Sequence, residues 1–152
     1  MLPEFLYREG APYGVLPPGV HDASLAEIED RFATNAHRRV LFDGIVAVTE
    51  ALRVAGCRQM FLDGSYVTSK EQPEDFDGCW DPRGVAATAL DPVLLDFNDG
   101  RAAQKAKFGG EMFIANWPAT SAGDVAFFDF FQTDKHTGEA KGIIAIPLDR
   151  QS

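Results

Sequence analysis

The sequence predicts an α/β chain of the α+β kind, a mixed sheet of about four to five strands flanked by helices. Three observations predict it. Leu41, Ile45, Val48, Leu52 and Ala55 form an apolar stripe at helical spacing that runs into Gly56. Four short apolar runs, Gln59 to Asp63, Phe76 to Trp80, Glu111 to Asn116 and Gly142 to Leu148, are bounded by turn residues and read as strands. The chain has 152 residues, one domain's worth, and its 45% hydrophobic content is enough for a proper core.

Taken in order, residues 1–23 are broken by Pro3, Pro12, Pro17 and Pro18 and read as an arm, with residues 24–152 as a single domain. Leu2, Phe5, Leu6 and Tyr7 are too apolar for a free tail. The arm is expected to lie across a partner subunit, in a homo-oligomer or with a partner protein, or to fold back on its own domain. Ser24 and Glu27 form a capping-box pattern ahead of Leu25, Ile28 and Phe32, which predicts a short helix to about residue 33. Asn35 can cap the helix that carries the long stripe. His37, Arg38 and Arg39 sit in its first turn, where the helix dipole favours acids, so that end is either solvated or a place where a phosphate is met.

Asp81-Pro82 and Asp91-Pro92 both carry cap-plus-first-position signals for helices. A further short helix is expected from Arg101 to Phe108, and another from Ser121 through Val125, Phe127, Phe128, Phe130 and Phe131. The aromatic density of the latter reads as core or subunit interface more readily than as a base-stacking platform. Thr133 to Lys141 is a polar turn. Lys135, His136 and Lys141 could bind phosphate there or simply form a solvated hairpin tip.

The 23 acids against 14 bases give a net charge of −9, which disfavours non-specific adhesion to nucleic acid or anionic membrane. No run of apolar residues is long enough to span a bilayer, and MLPEFLYREG lacks the basic start of a signal peptide. Cys57 and Cys79 lack the partners of a zinc site. Two packed, reduced thiols and a cytoplasmic location are expected.

The rest is organised around Arg58 to Trp80. Gly64-Ser65 ends a strand with a residue that tolerates φ > 0 and one whose hydroxyl and N–H can both face a ligand, as in a phosphate cradle. Asp75 and Asp77 open the next strand, and its period of two puts both carboxylates on one face, about 6.6–6.8 Å apart at Cα. Carboxylates aimed at one point repel unless a cation or proton lies between them, and such hard oxygen ligands suit Mg²⁺. A calcium loop fails on spacing, because its fifth position would be Cys79. Alone, Gly-Ser after a strand is most often only a turn.

Gly64-Ser65, nine intervening residues, then Asp75-Phe76-Asp77 resemble the signature of the polymerase-β-like nucleotidyltransferase superfamily. Nearly the whole chain is also similar to a group of small bacterial proteins, without an established activity, that carry stretches like LPPGVHDAS, LDGSYVT and DFDGCWD. The broader resemblance implies a nucleotidyltransferase-like sheet. It implies Mg²⁺ on Asp75 and Asp77, and a nucleoside triphosphate on Gly64 and Ser65. It implies transfer of the nucleoside monophosphate to a hydroxyl of RNA such as tRNA, a protein or a small molecule. A third carboxylate is implied on the following strand. Glu111 is the acid there, without the apolar residue usually placed before it, and Asp96 and Asp99 are lesser choices. The resemblance further extends to toxin–antitoxin and phage-defence pairs. The alternative is an inactive protein of the same fold that serves as a protein-interaction or nucleotide-binding module.

Overall fold

The computed structural model describes residues 1–149. The chain is mixed α/β, with β1 (Gly19–Asp22), α1 (Leu25–Phe32), α2 (Ala36–Val54), β2 (Gln59–Asp63), β3 (Phe76–Trp80), α3 (Asn98–Phe108), β4 (Gly110–Ile114), α4 (Phe127–Phe130) and β5 (Gly142–Pro147). Among the described residues the strands form one sheet ordered β1-β5-β2-β3-β4. The outer pairs, β1 with β5 and β3 with β4, are parallel, and β2 runs antiparallel to both of its neighbours. The predicted α+β class holds.

The helices start where their caps predict. Ser24 and Glu27 close a capping box on α1, and the Asn35 side-chain Oδ1 accepts the Arg38 N–H at 2.8 Å at the head of α2. The α2 stripe of Leu41, Ile45, Val48 and Leu52 is buried as its spacing requires. Gly44 sits within that helix because a Cβ there would lie 1.7 Å from the Phe108 carbonyl oxygen, so only glycine lets α3 end against α2.

The period of two sorts the strands into two faces. Met60, Leu62, Phe76, Trp80, Met112, Ile144 and Ile146 join α1, α2 and α3 in the main core. Phe61, Cys79, Ile143 and Ala145 point the other way, into a second cluster closed by Phe113, Phe127, Phe128 and Phe131. Phe113 and Phe127 stack there with centroids 4.2 Å apart. The aromatic run is thus largely the second core. Cys57 and Cys79 are buried free thiols, and desolvation raises both, Cys57 to about 11.

Four expectations are corrected. The arm ends in a strand, β1, which pairs in parallel with β5 from Gly19↔Gly142 to Asp22↔Ala145; Pro17 and Pro18 precede it at an edge, where a missing N–H costs no ladder bond. After Asp81-Pro82 no helix forms: the Asp81 carboxylate accepts from Arg83, and Gly84 at φ 81° turns the chain away. Asp91-Pro92 opens only a 3₁₀ turn, Pro92–Leu95. The last helix shrinks to α4, because Gly123 takes φ 75° and residues 118–126 close a turn through Pro118↔Ala126 pairing.

The arm packs on its own domain. Leu2, Val15 and Leu16 are buried, and Arg31 lies 4.5 Å over the Phe5 ring. Leu6 and Tyr7 remain exposed. No helix among the described residues is long and apolar enough to cross a membrane.

Candidate active site

The site forms where three strands end on the face of the second core. Strand parity puts Asp63 on the same face as Phe61, Asp77 on that of Cys79, and Glu111 on that of Phe113. Register then lines them up, since Asp63 pairs with Asp77 and Asp77 with Glu111. Asp75, just before β3, joins from the loop. One carboxylate oxygen from each of Asp75, Asp77 and Glu111 lies within 4.8 Å of the others. The apolar residue missing before Glu111 also has a physical reason. A Cβ on Gly110 would sit 2.6 Å from the Phe76 ring, so that ring fills the place.

Crowding acids on a half-buried surface has an electrostatic cost that the protonation states record. Burial raises Asp77 to about 8, helped by the Asp75, Glu111 and Asp63 charges around it. Asp75 is raised too, first by burial and then by Glu111. At Glu111 burial pushes upward, but hydrogen bonds from Lys105, Arg101 and the Asp77 carboxyl outweigh it and leave it below its ordinary value. The pair therefore shares a proton that resides on Asp77.

Cations frame this row. Glu111 Oε1 accepts from Arg101 Nη2 at 3.0 Å and lies 3.0 Å from Lys105 Nζ. A left-handed kink at Asp99, Gly100 and Arg101 opens α3 where Arg101 reaches back to Glu111. At the other end Lys141 donates to the Asp63 carboxylate and, at 2.7 Å, to the Phe131 carbonyl. Asp63 is buried; desolvation raises it and Lys141 opposes that.

Gly64 and Ser65 open a 3₁₀ turn, Ser65–Val67, beside the acids. Gly64 has φ 82°, and a Cβ on it would lie 2.7 Å from Asp77 Oδ2, so conformation and space both require glycine. Ser65 faces a cavity of about 480 Å³ shared with Asp63, Asp75 and Asp77. Tyr13 and Val15 of the arm wall it on one side, and Phe130, Lys135, His136 and Lys141 on another.

The basic first turn of α2 fastens the β2–β3 connection. Arg38, 3% exposed, donates to the carbonyls of Phe32 at 3.1 Å, Tyr66 at 2.7 Å, Thr68 at 2.9 Å and Lys70 at 3.2 Å. His37 bonds the Pro73 carbonyl, Asn35 donates to that of Glu71, and Arg39 pairs with Glu29. Three side chains of one helical turn thus hold the loop between the Gly-Ser turn and Asp75.

Each sequence-selected residue has a definite place. Asp75, Asp77 and Glu111 converge, and Gly64 and Ser65 border them. Asp96 instead caps the Asn98 N–H, and Asp99 belongs to the α3 kink. Sequence reasoning missed Asp63, Arg101 and Lys105. The signal for Asp63 was an acid closing an apolar strand directly before Gly-Ser. Arg101 and Lys105 are four apart on a helix that leads straight into Glu111.

The DUF6932 family model, a family of unknown function, matches residues 9–147. No curated protein and no solved structure matches the chain.

Proposed function

We propose that this chain, which belongs to DUF6932, is a divalent-metal-dependent nucleotidyltransferase that moves a nucleoside monophosphate from a nucleoside triphosphate to a hydroxyl of RNA or protein. The observation that carries the reading is the convergence of Asp75, Asp77 and Glu111 beside an obligatory glycine, with Asp75, Asp77 and that glycine lining a cavity. Three hard oxygen donors within 4.8 Å of one another, whose mutual repulsion a cation would relieve, suit Mg²⁺ chemically. Asp75, Asp77 and Glu111 would hold the ion, which when bound supplies charge neutralisation for the phosphates and the acceptor oxygen.

The chain's own residues do the remaining work. The Gly64-Ser65 turn presents N–H groups and a hydroxyl to the triphosphate. The acceptor oxygen bonds the α-phosphorus, the bond from that phosphorus to the leaving pyrophosphate breaks, and the hydroxyl proton passes to water. Positioning and charge placement suffice for such an in-line displacement. The arm and the segment after α4 wall the cavity, so they serve where larger enzymes append a substrate domain.

A second reading, a nucleotide-binding module without transfer, is favoured by one observation: Arg101 and Lys105 already neutralise Glu111. Thermal unfolding with Mg²⁺, with a nucleoside triphosphate and with both tests the binding that the two readings share, because a ligand that binds only the folded state raises its stability. The expected result is a rise with the two together that exceeds either alone. No rise in any combination contradicts both readings; transfer of labelled nucleotide separates them.

A further inference from the structure

We propose that Lys141 is a phosphate-contacting residue of this cavity, holding the oxygens of the pyrophosphate that leaves; the inference rests on the nucleotidyltransferase reading. Lys141 belongs in sequence to a polar turn, yet its side chain is only 13% exposed and lines the cavity. An ammonium carries three N–H donors. Two are engaged, by the Asp63 carboxylate and the Phe131 carbonyl, which aims the group and leaves one donor uncommitted among the described residues.

The charges lie in one row along the sheet. Lys141 immediately precedes β5, Asp63 ends β2, Asp77 lies on β3 and Glu111 on β4, in the order of the strands themselves. Lys141 bonds Asp63, the register partner of Asp77, and neighbouring strands are about 4.8 Å apart, so the ammonium stands about 5–10 Å from the acid cluster, in the cavity that Gly64 and Ser65 also line. A polyphosphate whose α-phosphate sits at the acids would extend along the turn toward Lys141. Lys135 lines the same cavity, and its charge also reaches Asp63 and Asp75.

A purely structural ion pair accounts less well for this arrangement. Buried pairs seldom stabilise more than the apolar residues that could replace them, and the surrounding face is apolar, with Phe61, Cys79 and Ile143. When the bond from the α-phosphorus to the bridging oxygen breaks, negative charge grows on pyrophosphate, and a fixed ammonium there stabilises it.

Lys141→Met, Lys141→Arg and the paired Asp63→Asn/Lys141→Met test this, the pair removing the carboxylate that the single change strands. The probes are Mn²⁺ alone, read by its paramagnetic resonance, and inorganic tripolyphosphate with Mg²⁺, read by calorimetry. Mn²⁺ affinity should stay within about threefold, tripolyphosphate affinity should fall about tenfold or more in Lys141→Met and the pair, and Lys141→Arg should retain most of it. In the wild type, the Lys141 ζ-nitrogen resonance should shift on adding Mg²⁺ and tripolyphosphate, a readout independent of any variant's folding. Unchanged tripolyphosphate affinity in the folded pair, or an unmoved resonance at saturation, overturns the inference alone. A wild type that binds neither tripolyphosphate nor a nucleoside triphosphate with Mg²⁺ overturns it together with the reading beneath it.

Discussion

Asp77 and Glu111 are register partners across the parallel β3–β4 pair, and their carboxyls share one proton. The folded, ion-free chain keeps that proton on Asp77 up to about 8, whereas the unfolded chain releases it near 3.8. Between those values the folded state binds more protons, so stability falls as pH rises through the window. Glu111 acts oppositely: held below its ordinary 4.5, it contributes stability that is present above that value and lost as pH falls.

The ion-free protein should therefore be most stable at mildly acid pH and lose stability on the order of a few kcal/mol toward pH 8, at about 1.4 kcal/mol per unit of pKa shift. Asp77→Asn should flatten that fall, and so should saturating Mg²⁺. Thermal unfolding from pH 5 to 9 in chelator checks this. A wild type whose stability climbs steadily over the range contradicts the shared proton.

Gly64→Ala should damage binding and fold together. The new Cβ would meet Asp77 Oδ2 at 2.7 Å, and φ 82° is unfavourable for any L side chain. A loss of about 1–3 kcal/mol is expected, with metal affinity reduced in the protein that remains folded. Denaturant melts and a Mn²⁺ titration measure the two effects. An alanine variant equal to wild type in both would remove the glycine from the account.

Arg38 makes the strongest structural prediction. Its guanidinium satisfies carbonyls of Phe32, Tyr66, Thr68 and Lys70, and an ammonium cannot reproduce that fork. Arg38→Lys should cost about 2 kcal/mol or more, and Arg38→Met about 3 kcal/mol or more, because buried acceptors are left unpaired. Hydrogen exchange should quicken first in residues 66–75. Exchange that quickens elsewhere and spares this loop refutes the clamp.

Much of this was legible in the sequence because it rests on local rules. Leu41, Ile45, Val48 and Leu52 repeat at the helical period, and Asp77 takes its face by strand alternation, with Asp75 two residues before it. The rest depends on register and tertiary approach. Asp63 becomes part of the site only because β2 aligns it with Asp77, and Lys141 only because β5 inserts between β1 and β2. The basic turn with Arg38 read as a solvated end or a phosphate site because its donors were visible and their carbonyl acceptors, most of them some thirty residues away, were not. β1 was hidden behind Pro17 and Pro18, which precede it, and an edge strand of four residues carries little alternation of its own.

The arm should behave as part of the fold. Leu2, Val15 and Leu16 are buried in its own domain, and each fully buried side chain of this kind contributes about 1.5–3 kcal/mol before ordering costs. Deleting residues 1–16 should lower the melting temperature and leave the molar mass per assembly unchanged apart from the missing residues. Light scattering beside thermal unfolding tests it. An oligomer that dissociates on truncation would assign the arm to an interface instead.

The central claim is that Asp75, Asp77 and Glu111 act as one metal-dependent unit of nucleotidyl transfer. Its most direct test is incubation of the protein and cell lysate with Mg²⁺ and each of four α-phosphate-labelled nucleoside triphosphates. The wild type should place label on RNA or protein, while Asp75→Asn and Asp77→Asn should each abolish it and their combination should lose no more, because groups that act together are non-additive. Label transferred equally by wild type and both single variants, or by none of them with any of the four nucleotides, would contradict the claim.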